Sequence, residues 1–328
     1  MRILLTGGSG FLGSHIAEHL AHAQHQVRAL VRATSDTRFL STLPNVELVE
    51  GTVQDRASLL RALPGVDAVI HAAGLVKATS AEEFHAVNAR GTQLLLEAIE
   101  EAGVSLQRFV LISSLSVSGP SFDGRPVSPD QHPNPVTHYG RSKLAAERAA
   151  LAVRERLPLT IIRPPLIYGP RDRECLAFFQ SVKYRVLPYM GSTARGFSVV
   201  YGSDCAAACA RALEVNVPSG STYFVEDGNT RTLAELVAHI ETAMGKRAWM
   251  RFPIPQSILQ TAALFSEIYG KLTHRAVMLT RDKCNELYAP HWVCESTATH
   301  AQLGWEPRIS FDRGARITAE WYRQHGWL

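Results

Sequence analysis

The chain has 328 residues, 46% hydrophobic and 20% charged, with 34 basic against 30 acidic side chains. That length can bury a large core, in one big domain or two intimate ones, and the near balance of charge speaks against nucleic acid or a polybasic membrane anchor as partner. Five scattered cysteines with no CxxC pair speak against a disulfide framework or a zinc site and suit a reduced compartment.

Residues 2–6 form a short apolar run that predicts a strand and is too short for a signal-peptide core. No stretch reaches the roughly 20 apolar residues that span a bilayer, so a cytoplasmic chain without a transmembrane segment is expected. The run leads into Gly7-Gly8-Ser9-Gly10-Phe11-Leu12-Gly13, and residues 11–20 have a helical pattern. Strand, glycine turn and helix in that order form the context in which a glycine motif binds a dinucleotide. Glycines let the backbone turn tightly and approach a pyrophosphate, and the helix N-terminus offers it free N–H groups. The bland alternative is a simple tight turn. Gly7, Gly10, Phe11, Leu12 and Gly13 are the predicted cofactor contacts here.

Within that helix His15, His19 and His22 share a face. No carboxylate or cysteine cluster accompanies them, so solvated histidines are expected and no metal site is assigned. The next apolar run, residues 27–31, ends in Arg32, with Arg38 six residues on. A dinucleotide-binding strand that prefers NAD carries Asp or Glu here, for the ribose 2′-hydroxyl. A guanidinium instead pairs with a 2′-phosphate, so Arg32 and Arg38 point to NADP, with NAD possible; both could also be solvated loop charges.

Residues 46–50 predict a third strand, followed by Gly51-Thr52-Val53, and residues 67–71 a fourth, closed by Ala72-Ala73-Gly74. Residues 82–101 predict one long helix that includes Asn88. Residues 108–113 predict a fifth strand running into Ser113-Ser114-Leu115-Ser116. Five prolines within residues 120–135 mark a loop.

The loop ends in Thr137-His138-Tyr139-Gly140-Arg141-Ser142-Lys143, and the chain beyond is rich in Ala, Leu, Arg and Glu, so a helix is expected. Tyr139 and Lys143 then lie one turn apart on one face. An ammonium beside a phenol favours the phenolate, so Lys143 is expected to lower the Tyr139 pKa and fit it for proton transfer to or from a carbonyl oxygen. Standing alone, the pair is equally a surface Tyr and Lys.

Residues 159–163 predict a sixth strand, followed by Pro164-Pro165-Leu166, and residues 221–225 a late strand returning to the sheet. Residues 203–214 and 232–244 read as helices. Residues 254–272 are amphipathic, as core or as a lid over a pocket; a membrane-surface helix is the lesser reading, because the polar face lacks a Lys and Arg cluster. The alternation predicts an α/β fold: a Rossmann-type doubly wound parallel sheet over residues 1–168, with a smaller, mostly helical and interleaved substrate-binding region over residues 169–328. In such sheets ligands sit beyond the carboxyl ends of the strands, where the glycine turn, residues 72–74, Ser114 and Pro164 all fall.

These pieces together resemble the extended short-chain dehydrogenases/reductases, the NAD-dependent epimerase/dehydratase family. The match runs through TGGSGFLG at 6–13, HAAG at 71–74, Asn88 with Gly91-Thr92, ISSLSVSG at 112–119, YGRSK at 139–143, RPPLIYGP at 163–170 and LGWEP at 303–307. The resemblance implies Tyr139 as acid/base, Ser114 (or, less well placed, Ser116) bonding the substrate oxygen, and Lys143 bonding the nicotinamide ribose and keeping Tyr139 acidic. It adds Thr52, Val53, Ala72, Ala73, Gly74, Pro164 and Leu166 to the cofactor contacts, and suggests a homodimer through helices near the Tyr-Lys face. Dihydroflavonol-4-reductase-like and 3β-hydroxysteroid-dehydrogenase-like members are the most similar.

There are departures. Thr52 stands where the family often has an Asp against the adenine, and Ser118-Gly119 replaces the Tyr-Gly of nucleotide-sugar epimerases. No Asp-Glu pair follows Ser114, which argues against a 4,6-dehydratase. The expected function is an NADP-dependent oxidoreductase acting on a small-molecule ketone or aldehyde, or on the alcohol. The alternatives are a nucleotide-sugar epimerase/dehydratase with tightly bound NAD, and a non-catalytic NADP-binding sensor.

Overall fold

The computed structural model describes every residue except 274, 275 and 278. Seven strands form one sheet: β1 (Arg2–Thr6), β2 (Gln26–Val31), β3 (Val46–Glu50), β4 (Ala68–His71), β5 (Arg108–Ile112), β6 (Leu159–Arg163) and β7 (Ser221–Phe224). Their order is β7-β6-β5-β4-β1-β2-β3, and every neighbouring pair is parallel. This is the predicted doubly wound sheet, and its order reverses between β1 and β4. β4, β5 and β6 are buried along their whole lengths, as strands covered on both faces must be.

Ile3, Leu5, Val27 and Ile70 pack with helix α1 (Phe11–His22) and helix Gly202–Glu214 on one face. Leu4, Val69, Phe109 and Ile161 pack with α2 (Arg56–Ala62), α3 (residues 81–101) and α4 (His138–Leu151) on the other. The stretch α3 is longer than an ordinary helix. It runs Ala81–Phe84, then a π-helical turn His85–Arg90, then Gly91–Glu101. The predicted helix is therefore present but interrupted, and the wide turn carries Asn88; such turns recur at functional sites.

The carboxyl-terminal region builds a second core, in which Tyr168, Phe179, Phe311 and Tyr322 meet between helices Leu176–Lys183, Leu233–Met244 and Phe311–Gln324. The buried Asp204 carboxylate ties it to helix Gly202–Glu214 by accepting from the backbone N–H groups of Arg308 (3.0 Å) and Ile309 (2.8 Å). All five cysteines are buried and unpaired.

Candidate active site

The glycine turn follows β1 directly. Gly7 has φ +76°, and a Cβ on it would stand 2.6 Å from the Ala73 amide nitrogen. A Cβ on Gly13 would overlap the Gly7 carbonyl oxygen. Only glycine fits either position. Gly10 donates its N–H to that carbonyl at 3.0 Å and precedes α1 with no side-chain cap and no acid in the first turn. The first amides of α1, at Phe11, Leu12 and Gly13, cannot bond within the helix, so an anion cradle is left at the carboxyl edge.

Arg32 follows β2 on the same edge and is exposed. Arg38 is exposed as well, but its guanidinium grips Asp36 at 2.6 and 2.9 Å, a bond that holds the Asp36 carboxyl below its ordinary value. Thr52 is held by its backbone, with both its N–H and its C=O bonded to the Ser58 hydroxyl at 3.1 Å. Val53 is buried, and its side chain fills the space where a Cβ on Gly91 would stand.

Residues 72–74 are positioned from below by a buried relay. Thr92 donates its hydroxyl to the Asn88 carbonyl (2.6 Å), so its oxygen must accept from His71 Nε2 (2.9 Å). His71 is then neutral with its proton on Nε2, and burial, with Lys143 adding to it, holds its pKa down to about 3. Its Nδ1 accepts from the Thr6 hydroxyl (2.6 Å), whose oxygen accepts from the Ala73 N–H (3.2 Å). Every member has a partner in one tautomer, which locks the turn against β1. Asn88 holds the next residue, accepting from Leu75 N (2.7 Å) and donating to Leu75 O (3.1 Å) and Ser142 Oγ (2.9 Å). Helical pattern and family motif place Asn88 and His71 in the sequence but predict neither bond network.

Ser114 opens a short turn, Leu115–Val117, and its oxygen accepts from the Ser116 N–H (3.1 Å), leaving its proton to give elsewhere. Helix α4 starts beside it, capped by the Thr137 hydroxyl on Gly140 N (3.1 Å). A Cβ on Gly140 would stand 2.5 Å from the Ser116 carbonyl, so that glycine lets α4 press against the serine turn. Ser114 and Tyr139 are thereby brought together, with Phe84 packed 6.1 Å from the Tyr139 ring. Pro164 is buried, and its carbonyl accepts from Leu115 N (2.9 Å), whereas Leu166 is exposed.

Lys143 is buried and corrects one expectation. Its Nζ donates to the Ile112 carbonyl of β5 at 2.6 Å and stands beside Gly74, where a Cβ would be 3.4 Å away. Burial pushes the Tyr139 phenol up to about 12, opposed by the Ser114 hydroxyl; Lys143 is not among the groups that move it. Burial also brings Lys143 down to about 8, opposed by Glu147. The ammonium spends one donor on β5 and keeps two for other partners.

Further groups that local spacing did not reveal complete the site. Glu147, one turn beyond Lys143, pairs with Arg163 at 2.6 and 2.8 Å, both nearly sealed from solvent. Arg163 also donates to Ser118 Oγ (3.1 Å), so the serine at the epimerase tyrosine position here caps an ion pair. Helix Arg281–Tyr288 reaches the start of α4: Asp282 accepts from His138 N (2.8 Å) and Arg141 (3.2 Å), and the Glu286 charge adds to the rise of the Tyr139 phenol. The histidines of α1 divide. His22 is exposed, but His15 is buried, accepting from Arg171 (2.8 Å) and bonding the Pro170 carbonyl (3.0 Å), with its pKa driven down to about 3 by burial and then Arg171. It packs against Gly202 and is no solvated side chain.

The sheet order and the open cradle at its carboxyl edge define a doubly wound dinucleotide fold, and the family and relatives that follow make the chain a nicotinamide-dinucleotide oxidoreductase of the extended short-chain dehydrogenase/reductase type. A sequence model of the NAD dependent epimerase/dehydratase family matches residues 3–225. The chain belongs to that family. It is 32% identical to a ceramide reductase of Caulobacter vibrioides over 99% of this chain and 96% of that one. It is 28% identical to a 2-alkyl-3-oxoalkanoate reductase of Stenotrophomonas maltophilia over 96% of this chain and 98% of the relative. A dTDP-glucose 4,6-dehydratase of Streptomyces venezuelae, solved with NAD and TYD bound, superposes with a TM-score of 0.82 at 25% identity, covering 100% of this chain and 99% of its own. No helix among the described residues is long and apolar enough to cross a membrane.

Proposed function

We propose that the protein is an NADP-dependent carbonyl reductase for an apolar, acyl-chain-bearing ketone, and that Ser114, Tyr139 and Lys143 carry its proton transfer. The observation that carries this reading is the convergence of the Tyr139 phenol, the Ser114 hydroxyl and the Lys143 ammonium beside Gly74 on the edge that holds the glycine cradle. The residues suit the cofactor: the cradle leaves amides for a pyrophosphate, and Lys143 has donors to spare beside Gly74 for a ribose hydroxyl. When bound, the dinucleotide supplies the hydride that reaches, or leaves, the carbonyl carbon.

Ser114 donates to the carbonyl oxygen and orients it, and Tyr139 gives that oxygen its proton. A phenol near 12 is protonated throughout the neutral range, so it stands ready as the acid of the reductive direction. Lys143 contributes by fixing a ribose hydroxyl beside Gly74, so that the reacting groups stay aligned. The substrate class draws support from the two reductase relatives, whose printed substrates are a ceramide and an alkyl-oxoalkanoate. Pairing of two copies across α3 and α4 belongs to the same reading; a shallow groove between them is lined by His85, Ala89, Ala145 and Ala149.

A panel of long-chain 3-oxo acyl compounds, aryl ketones and nucleotide sugars, each offered NADPH and NADH and followed by nicotinamide absorbance, tests the assignment. Turnover of the acyl ketones is expected; exchange-resistant NAD with activity on sugars alone would replace it with the epimerase reading. The direction of catalysis should also depend on pH. Reduction uses the protonated phenol and should be flat across the neutral range, whereas oxidation of the alcohol needs the phenolate and should rise about tenfold per pH unit. A reductive rate that climbs with pH would remove Tyr139 as the acid.

Arg32 gives a separate prediction for the nucleotide. It is exposed at the end of β2 with no carboxylate partner among the described residues, unlike Arg38. Arg32→Ala should weaken NADPH roughly tenfold and leave NADH within about twofold, since only the phosphate contact is lost. Fluorescence titration of both dinucleotides checks it, and equal losses for the two would deny Arg32 a role in choosing between them.

A further inference from the structure

Helix Gln256–Thr273 is apolar on two faces. Leu259, Ala263 and Gly270 make its inner stripe, buried against Cys284 and the helix Arg281–Tyr288. Ile258, Phe265, Tyr269 and Leu272 fall on another stripe at positions i, i+7, i+11 and i+14, and that stripe faces solvent: Phe265 is 66% exposed and Leu272 78%. A helix whose outer face is meant for water carries charged or polar residues there. The strand Met250–Ile254, just before the helix, continues the pattern, with Phe252 exposed and Trp249 at its start 75% exposed. A contiguous apolar face with aromatic side chains marks a surface that is covered in use.

The charges on this stretch of chain say by what. Between residues 246 and 273 there are four bases, Lys246, Arg247, Arg251 and Lys271, and a single acid, Glu267. Glu267 is already engaged by Arg281 at 3.0 Å. Arg251 is paired with Glu241, but Lys246, Arg247 and Lys271 are exposed with no ion-pair partner among the described residues. Arg185 is also exposed and lies beside them, its carbonyl accepting from Met250 N (3.2 Å). A second copy docking the same face on itself would bring these cations together, as a two-fold contact requires. An anionic surface draws them in while the apolar stripe sinks below the headgroups, with Trp249 and Tyr269 at the boundary.

We infer that the outer face of helix Gln256–Thr273, together with Trp249 and Phe252, lies in the interface of a bilayer bearing anionic lipid. A membrane-surface helix is the lesser expectation from the sequence, since the polar face of the helix itself lacks a cation cluster; Arg185, Lys246 and Arg247 lie instead just before the paired strands Val186–Met190 and Met250–Ile254. The face is one helix away from the reaction centre, since the helix packed on its inner stripe carries Asp282, which holds His138 next to Tyr139. An acyl ketone dissolved in the bilayer would then have a short route to the cleft.

Co-sedimentation of the whole protein with phosphatidylcholine vesicles and with vesicles rich in phosphatidylglycerol tests this. Binding to the phosphatidylglycerol vesicles is expected, falling as salt is added. Phe265→Ser with Leu272→Ser should weaken it roughly tenfold, as should Lys246→Glu with Arg247→Glu. Circular dichroism and NADPH titration confirm that each variant remains folded. Absence of binding to phosphatidylglycerol vesicles, or variants that bind as well as the parent, would overturn the inference. So would a fall in solution mass of the Phe265/Leu272 variant by light scattering, which would give the face to a second copy.

Discussion

Tyr139→Phe is expected to lower kcat by about a thousandfold while dinucleotide affinity stays within about twofold of the parent. The substitution removes one oxygen and leaves the ring, so packing on Phe84 at 6.1 Å is retained. Neither the glycine cradle nor the bond from Lys143 to the Ile112 carbonyl depends on that oxygen. What disappears is the proton donor for the substrate oxygen. Ser114 cannot replace it, because an aliphatic hydroxyl is a far weaker acid than a phenol and can orient the substrate oxygen without giving up its proton. Steady-state kinetics paired with fluorescence titration separate the two effects. A variant that turns over like the parent would end the Tyr139 assignment, and one that loses NADPH binding as well would show the phenol to be a cofactor anchor.

Much of this site was legible because its signals are local. The glycine turn sits between an apolar run and a helical one, and a strand end followed by small residues is readable without knowing what lies across the sheet. The Tyr139 and Lys143 spacing also places both residues on one face of α4, as observed. The direction of the lysine was not legible. Spacing along a helix predicts a neighbour one turn away, but a buried ammonium takes the strongest acceptor in reach, here a carbonyl on β5 that the sequence places 31 residues earlier. Burial then raises the phenol's pKa where proximity to Lys143 alone predicted a fall.

The same limit explains the other corrections. The π turn at His85–Arg90 lies in residues with unbroken helical propensity, and only the need to seat Asn88 under Leu75 distinguishes it. His15 shares a helical face with His22, but burial depends on the helix Gly202–Glu214, nearly two hundred residues on. Glu286 and Asp282 reach the site from a segment with no motif, and long-range closure of that kind leaves no mark in local sequence.

Glu147→Ala should produce the second large effect, on stability. Arg163 and Glu147 form a two-pronged pair with side chains only 6% and 2% exposed, and Ser118 and the Pro129 carbonyl take the remaining Arg163 Nη1 donors. Removing the carboxylate alone leaves a guanidinium buried without a counter-charge, at a cost of about 3–5 kcal/mol. The denaturation midpoint of the cofactor-free protein should fall accordingly. Adding Arg163→Met removes the stranded charge, and most of that loss should return, because two apolar side chains need no compensation. If the pair were simply a strong bond, the double variant would be as unstable as the single one.

The pair also reaches the chemistry, since Glu147 is the one group that opposes the burial-driven fall of the Lys143 pKa to about 8. Without it Lys143 loses part of its charge in the neutral range, and a ribose hydroxyl beside Gly74 loses its charged donor. The double variant should therefore regain stability but not turnover, with its remaining activity confined to lower pH, where Lys143 is still protonated. Recovery of both together would mean that Glu147 serves only the fold.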